Sequence, residues 1–174
     1  MIIVSNHLFN TTDLLFPRNV VVRVNLAWIK DLETAHSVLK KIKHDVYLDY
    51  PQGRTRPPKP KLKLSDAINL AKKYKNVKFF AVSNIEDPVM AKKIRDTIPS
   101  RIEFVPKIET KRGVMNMLAI IKAARVKHAM LDKEDLYRDV YRDVAAYEKL
   151  IAEARMRAAE FNVALLELRG VVFA

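Results

Sequence analysis

Short apolar runs in this chain end in polar residues that could do chemistry. Arg23 and Asn25 close VVVRVN, Asp49 closes VYLD, and Lys107 and Glu109 close FVPKIE, while Asp135 follows HAML by a few residues. Side chains alternate along a strand, so Arg23 and Asn25 share one face, as do Lys107 and Glu109. Charged groups gathered at the C-terminal ends of successive parallel strands are how a β/α barrel builds an active site. A cationic and carboxylate set of this kind suits a small anionic ligand. The plainer reading of Lys107 and Glu109 is a same-face ion pair at a barrel rim.

The elements that must position these residues repeat one design. VVVRVN, VYLDYP, FFAVSN, EFVPKIET, HAMLDKEDL and VALLELRG each run from apolar to polar and are separated by helical patterns. The period predicts a helix over Asp31–Ile42, with Leu32, Ala35, Val38 and Leu39 on one face. Ser65 is expected to cap a second helix, Asp87 and Pro88 to open a third, and Thr110 or Arg112 to start a fourth. A long helix is expected from about Asp135 to Glu160, with the repeat YRDVYRDV setting Arg and Asp close together on its surface. Adding Met1–Val4 as a first strand makes seven, one short of eight. The expectation is an α/β fold, an abbreviated (β/α) TIM-type barrel with about seven parallel strands, in a single domain over 1–174. Seven strands leave open edges, so the tail Gly170–Ala174 should fill the gap or meet a second subunit as a homo-oligomer.

With 174 residues, 49% of them apolar, the chain can fill one core. It has no cysteine, which excludes disulfides and Cys-based zinc sites. No apolar run reaches membrane-spanning length and the opening MIIVSNHLF does not fit a signal peptide, so a cytoplasmic protein without membrane association is expected. The formal charge of +12 suits a small anionic carboxylate or phosphate substrate, or a nucleic-acid surface. GRTRPPKPKLK, residues 53–63, is a proline-rich basic arm with no aromatic residue interleaved, so nucleic acid is the less favoured partner. Phosphate-cradling glycine loops, H-E-x-x-H and G-x-S-x-G are all missing from the sequence.

Four of these segments, taken in order, resemble the catalytic barrel of pyruvate kinase. Arg23-Val-Asn25 is similar to its R-x-N motif, and Leu48-Asp49 with Arg56 seven positions on to its L-D-x-x-G-P-x-I-R. Lys107-Ile-Glu109 with Gly113 matches K-I-E-x-x-x-G, and Glu134-Asp135-Leu136 stands where that family has R-G-D-L. Related barrels of the citrate-lyase and hydroxy-oxo-acid aldolase group place a Glu and an Asp similarly. The resemblance implies that Glu109 and Asp135 hold Mg²⁺ or Mn²⁺ and that Lys107 stabilises an enolate or a transferring phosphoryl group. It further implies that Arg23 and Arg56, with Asn25 and Asp49 beside them, bind the anionic substrate.

The departures matter as much. Ala27, Trp28 and Tyr50 occupy positions where the family builds a monovalent-cation site, and the turn before Asp135 lacks its glycine. Only PPKPKLKL stands where the family inserts a lid domain, and phosphoryl transfer depends on excluding water. Ordinary ATP-forming kinase activity is therefore not expected. The expected function is metal-dependent binding and enolate-type chemistry on phosphoenolpyruvate, pyruvate or another 2-oxo acid. A 2-oxo acid lyase or aldolase on the same site, and a non-catalytic barrel serving as a binding or assembly module, are the alternatives.

Overall fold

The β-branched run Val20–Val24 shows why strands form here: Val20, Val21, Val22 and Val24 are all buried, the continuous burial of a strand covered on both faces. The computed structural model describes residues 2–5, by backbone alone, 20–54 and 58–167. Arg56 and the tail Gly170–Ala174 lie outside the described residues.

The chain divides into two compact units, residues 1–81 with 98–102 and residues 82–97 with 103–174. In the first unit β1 (Ile2–Ser5), β2 (Val20–Asn25), β3 (Asp45–Tyr50) and β4 (Val77–Val82, its last residue in the second unit) follow one another in sequence order. β1 pairs with β2 and β2 with β3 in parallel, and the register sets Asn25 opposite Asp49. The helix α1 (Leu32–Lys41) joins β2 to β3, and α2 (Leu64–Lys73) joins β3 to β4.

α1 starts where the Asp31 carboxylate accepts the Thr34 N–H at 2.8 Å, buries Ala35 and Leu39, and ends on Lys40 and Lys41, which suit the negative end of the helix dipole. α2 does not start at Ser65. Asp66 reaches back to accept the Lys63 N–H at 2.9 Å, so the helix begins at Leu64 with Lys63 as its cap. Arg101 closes the other end of α2 by donating to the carbonyls of Ala71 at 3.1 Å and Lys72 at 2.8 Å, and it also reaches Val77 of β4. Tyr47, Leu48, Leu70 and Phe80 form the centre of this unit, with Phe79 stacked beside Tyr47.

The second unit holds α3 (Pro88–Thr97), β5 (Glu103–Ile108), α4 (Lys111–Ala124), β6 (His128–Leu131), α5 (Lys133–Asp139), α6 (Val144–Glu160) and β7 (Ala164–Glu167). β5 pairs with β6, and β6 with β7, again in parallel and in sequence order. Phe104, Ile108, Met117, Ile120, Leu131 and Ala154 are its core. Thr110 caps α4 by accepting the Gly113 N–H at 3.0 Å, the first of the two expected starts.

The expected long helix over Asp135–Glu160 is two helices. Tyr141 and Arg142 lie in the left-handed region with φ of 54° and 64°, which non-glycine residues enter at a cost, and Asp143 then caps α6 by accepting the Ala146 N–H at 3.0 Å. The YRDV repeat therefore does not line one continuous helix. Its first copy ends α5 with Val140 buried, while its second turns the chain and leaves Tyr141 95% exposed.

Each unit alternates parallel strands in sequence order with helices, so the fold is α/β and of the abbreviated TIM-type barrel kind, with seven strands among the described residues. None of the described helices is long and apolar enough to cross a membrane.

Candidate functional site

At the C-terminal end of β5 the alternation brings Lys107 and Glu109 onto one face, and both are buried. Lys107 Nζ lies 2.7 Å from Glu109 Oε1, donates to Ser83 Oγ at 3.0 Å, and stands 4.0 Å from Asp132 Oδ2. Glu109 is held in turn by the Asn84 N–H, which donates to Oε2 at 2.8 Å. Asn84 makes that hydrogen bond from the left-handed region, with φ of 53°, a conformation that its short polar side chain tolerates better than most. The same turn is tied to β5, because the Ile85 N–H donates to the Lys107 carbonyl at 3.2 Å.

A second strand end supplies the remaining carboxylates. The Asp132 N–H donates to the Ile108 carbonyl at 3.1 Å, which brings the end of β6 against the end of β5. Asp132 then caps α5, accepting the Asp135 N–H at 3.3 Å, so the two aspartates sit three residues apart on one turn. Ligand atoms of Glu109, Asp132 and Asp135 all lie within 4.8 Å of one another. Arg138 donates to Asp135 at 3.1 Å and also pairs with Glu134. The three carboxylates, set against Lys107 and Arg138, still carry an excess of negative charge. An all-oxygen donor set of this kind fits Mg²⁺ or Mn²⁺ better than softer ions.

Gly113 packs closely against Ile85, in the turn that carries Asn84. A Cβ there would stand 3.2 Å from the Ile85 carbonyl and 3.3 Å from Thr110 Oγ1, too close without movement of the turn that carries Asn84. Thr110 is fixed on its other side by donating to Glu86 at 2.6 Å, and Asn116 donates to the Glu86 carbonyl at 2.8 Å.

Glu167, at the end of β7, receives Arg155 Nε at 2.9 Å and Nη2 at 3.1 Å, with Lys133 Nζ at 2.8 Å. The hydrogen bond from Arg155 is the main reason its carboxyl pKa falls from 4.5 to about 2, and Lys133 adds to the effect. Glu167 is therefore part of a basic cluster rather than of the acidic one.

In the first unit Arg23 and Asp49 form a buried pair across neighbouring strands. Arg23 Nε lies 2.9 Å, and Nη2 2.5 Å, from the same oxygen, Asp49 Oδ2. Asn25 is only partly buried, and its side chain accepts the Ala27 N–H at 2.9 Å, capping the 3-10 turn Leu26–Trp28. Tyr50, where the resembled family has its cation site, has a raised pKa because burial disfavours the phenolate.

The structure thus brings Lys107, Glu109 and Asp135 together and joins to them two residues not singled out from the sequence, Ser83 and Asp132. Both had a signal. Ser83 ends the polar-tailed run FFAVSN, and Asp132 precedes Asp135 by the three residues that separate a helix cap from its third position.

No family model matches the sequence, and no curated protein matches it. Solved structures do share the fold. An HpcH/HpaI aldolase/citrate lyase family protein from Burkholderia cenocepacia J2315 superposes with a TM-score of 0.66 at 13% identity, over 84% of this chain and 70% of that one. The citrate synthase SbnG gives 0.65 at 11% identity, over 87% of this chain and 68% of its own. Macrophomate synthase gives 0.62 at 11% identity, over 86% and 62%. At such identities the likeness is one of fold: an α/β barrel architecture common to these lyase and synthase structures and to this chain.

Proposed function

We propose that this chain is an enzyme of the 2-oxo acid lyase or aldolase type, acting on pyruvate or a similar small 2-oxo carboxylate. The observation that carries the reading is the buried Lys107 held by Glu109 and Ser83 beside the carboxylates of Asp132 and Asp135. The fold shared with structures named as aldolase, lyase and synthase supports it, and favours this reading over the pyruvate kinase one. Lyase chemistry also needs no nucleotide, which accords with the missing nucleotide motifs.

In this reading Glu109, Asp132 and Asp135 would hold Mg²⁺ or Mn²⁺, which when bound acts as a Lewis acid toward the ligand's oxo and carboxylate oxygens. The chain's own residues do the rest. Lys107, a cation buried beside these carboxylates, would stabilise the negative charge that develops on the ligand's oxo oxygen when the neighbouring carbon gives up a proton to water or a carbon–carbon bond breaks. Glu109 and Ser83 keep its Nζ in place, so no reorganisation is needed at the moment of reaction. The resemblance alone carries the proposal that Arg23, Asn25 and Arg56 bind the anionic ligand; Asp49 fixes the Arg23 guanidinium.

The test is solvent exchange. Pyruvate incubated with the protein and Mg²⁺ or Mn²⁺ in deuterium oxide should lose its methyl protons, followed by NMR, and Lys107→Met should slow the loss by about 10²-fold or more. If pyruvate and a panel of other 2-oxo acids fail to exchange under conditions where metal binding is established, the lyase reading is wrong and a non-catalytic binding role takes its place.

A further inference from the structure

Two helices of the first unit end on one pattern, Lys40-Lys41-Ile42-Lys43 at the close of α1 and Lys72-Lys73-Tyr74-Lys75 at the close of α2. Folding fastens these ends together. The Tyr74 hydroxyl lies 2.8 Å from His36 Nδ1, the Asn76 side-chain amide donates to the Ile42 carbonyl at 2.9 Å, and the Val46 N–H donates to the Asn76 carbonyl at 2.7 Å. Arg101 joins the group by donating to the carbonyls of Lys72 at 2.8 Å and of Val77 at 3.2 Å, and Val77 is followed by Lys78. All seven lysines of the group are exposed. With Arg101 they make up half of the 16 Lys and Arg in residues 1–81 and 98–102, which hold only 6 Asp and Glu, a formal +10 of the total +12. Asp45 is the one carboxylate in residues 40–45 and 71–78.

A cation or two in the last turn complements a helix dipole. Three at each of two fastened helix ends, with Lys78 and Arg101 beside them, go beyond that and make one positive face at the N-terminal ends of β3 and β4, the end away from Asp49. The surroundings narrow what such a face can hold. Among the described residues, none of the exposed large apolar side chains falls within residues 40–45 or 71–78, so nothing here enters a lipid layer. The Tyr74 ring is half-buried, its centroid 5.7 Å from that of His36, which leaves no open platform for an unpaired base. Phosphate contact is what remains, and it positions a duplex without reading its sequence. A duplex carries one charge per about 1.7 Å of its axis, whereas an extended acidic polypeptide carries at most one per about 3.3 Å. We propose that the joined ends of α1 and α2 bind double-stranded nucleic acid through its phosphate backbone.

The test is fluorescence anisotropy of a labelled DNA duplex of about 20 base pairs, titrated with the intact protein at several salt concentrations. Affinity should fall by about 10³-fold between about 50 and about 200 mM salt, and an RNA duplex should bind comparably. Replacing Lys72, Lys73 and Lys75 together by Gln should shrink the slope of log affinity against log salt by about 2.7, about 0.9 for each phosphate no longer neutralised. Replacing Lys40, Lys41 and Lys43 by Gln should do the same from the other helix, so a folding defect in one variant leaves the other to decide. The control is Lys59, Lys61 and Lys63, exposed lysines before α2 and so about 15 Å from its far end. Their replacement by Gln removes the same charge and should leave the slope nearly unchanged. The proposal is overturned if no duplex binds at low salt, or if the control variant loses as much as the helix-end variants, which would make the binding one of net charge. It is equally overturned if a single strand of the same length, polyglutamate or phosphatidylserine vesicles bind as tightly as the duplex. Unchanged far-ultraviolet dichroism and melting temperature tie a loss of binding to the surface rather than to unfolding.

Discussion

Glu109→Gln tests how the buried cluster is held. The wild-type carboxylate accepts two donors, Lys107 Nζ at 2.7 Å and the Asn84 N–H at 2.8 Å, on opposite oxygens. Gln has one acceptor oxygen, so its amide must turn an N–H toward one of those donors and lose that bond. Removing one partner of a buried ion pair costs about 3–5 kcal/mol when the remaining charge is left uncompensated. Here Asp132, 4.0 Å from the same ammonium, offsets part of the loss, which points to the lower end, about 3 kcal/mol. For a chain of this size that is a fall in Tm of about 6–12 °C. Lys107→Met should cost less, because Glu109 keeps the Asn84 N–H and Met fills much of the lysine volume. The double variant should be at least about 1.5 kcal/mol more stable than the sum of the two single losses predicts. The assay is denaturant unfolding of the four proteins, with the two compact units followed by separate probes in case they do not unfold together. Additive losses, or a Glu109→Gln cost under about 0.5 kcal/mol, would refute the view that Lys107 is held by Glu109 against burial.

Three further outcomes are expected. Mg²⁺ or Mn²⁺ should raise the melting temperature, reaching about 2.7 kcal/mol of added stability at a hundredfold excess over Kd, and Asp132→Asn and Asp135→Asn should each diminish the rise, as read by thermal shift. Glu167, with its pKa depressed from 4.5 to about 2, contributes stability above pH 4.5 that is lost as pH falls toward 2. Because Arg155 is largely solvent-facing, the contribution should be only about 1 kcal/mol, visible as a difference between wild type and Glu167→Gln near pH 6 that vanishes near pH 2. Gly113→Ala should destabilise by about 1–3 kcal/mol, despite the better helix propensity of Ala, since its methyl group crowds the Ile85 carbonyl; a neutral or stabilising result in urea denaturation would show that the turn yields freely.

Much of the fold was legible because each strand carries its own signal. Val20–Asn25 coincides with the run VVVRVN, and five further apolar segments mark β3 to β7, since buried parallel strands must be apolar almost throughout. Alternation was enough to put Lys107 and Glu109 on one face. What it could not reach were features created by partners distant in sequence. Ser83 matters only because β4 ends near Lys107, and Arg23 and Asp49 meet only because β2 and β3 pair in that register. The start of α2 escaped for a different reason. Ser65 is a good cap by type, but Asp66 satisfies the Lys63 N–H and moves the boundary two residues upstream. The substrate roles given to Arg23, Asn25, Asp49 and Arg56 came from resemblance, and in the described residues Asn25 spends its side-chain oxygen on a turn cap.

The repeated tetrapeptide offers a controlled comparison inside one molecule. Tyr137–Val140 and Tyr141–Val144 have identical sequences, yet the first completes a helix and the second reverses the backbone through two left-handed residues before starting another. Intrinsic preference is therefore the same for both copies and cannot be what distinguishes them. The difference lies in their surroundings: Val140 is buried while Val144 is exposed, and Asp139 accepts the Lys111 N–H while Asp143 caps α6. Exchanging the two copies would leave the sequence unaltered, so only a change in what each copy touches can alter the conformation it adopts.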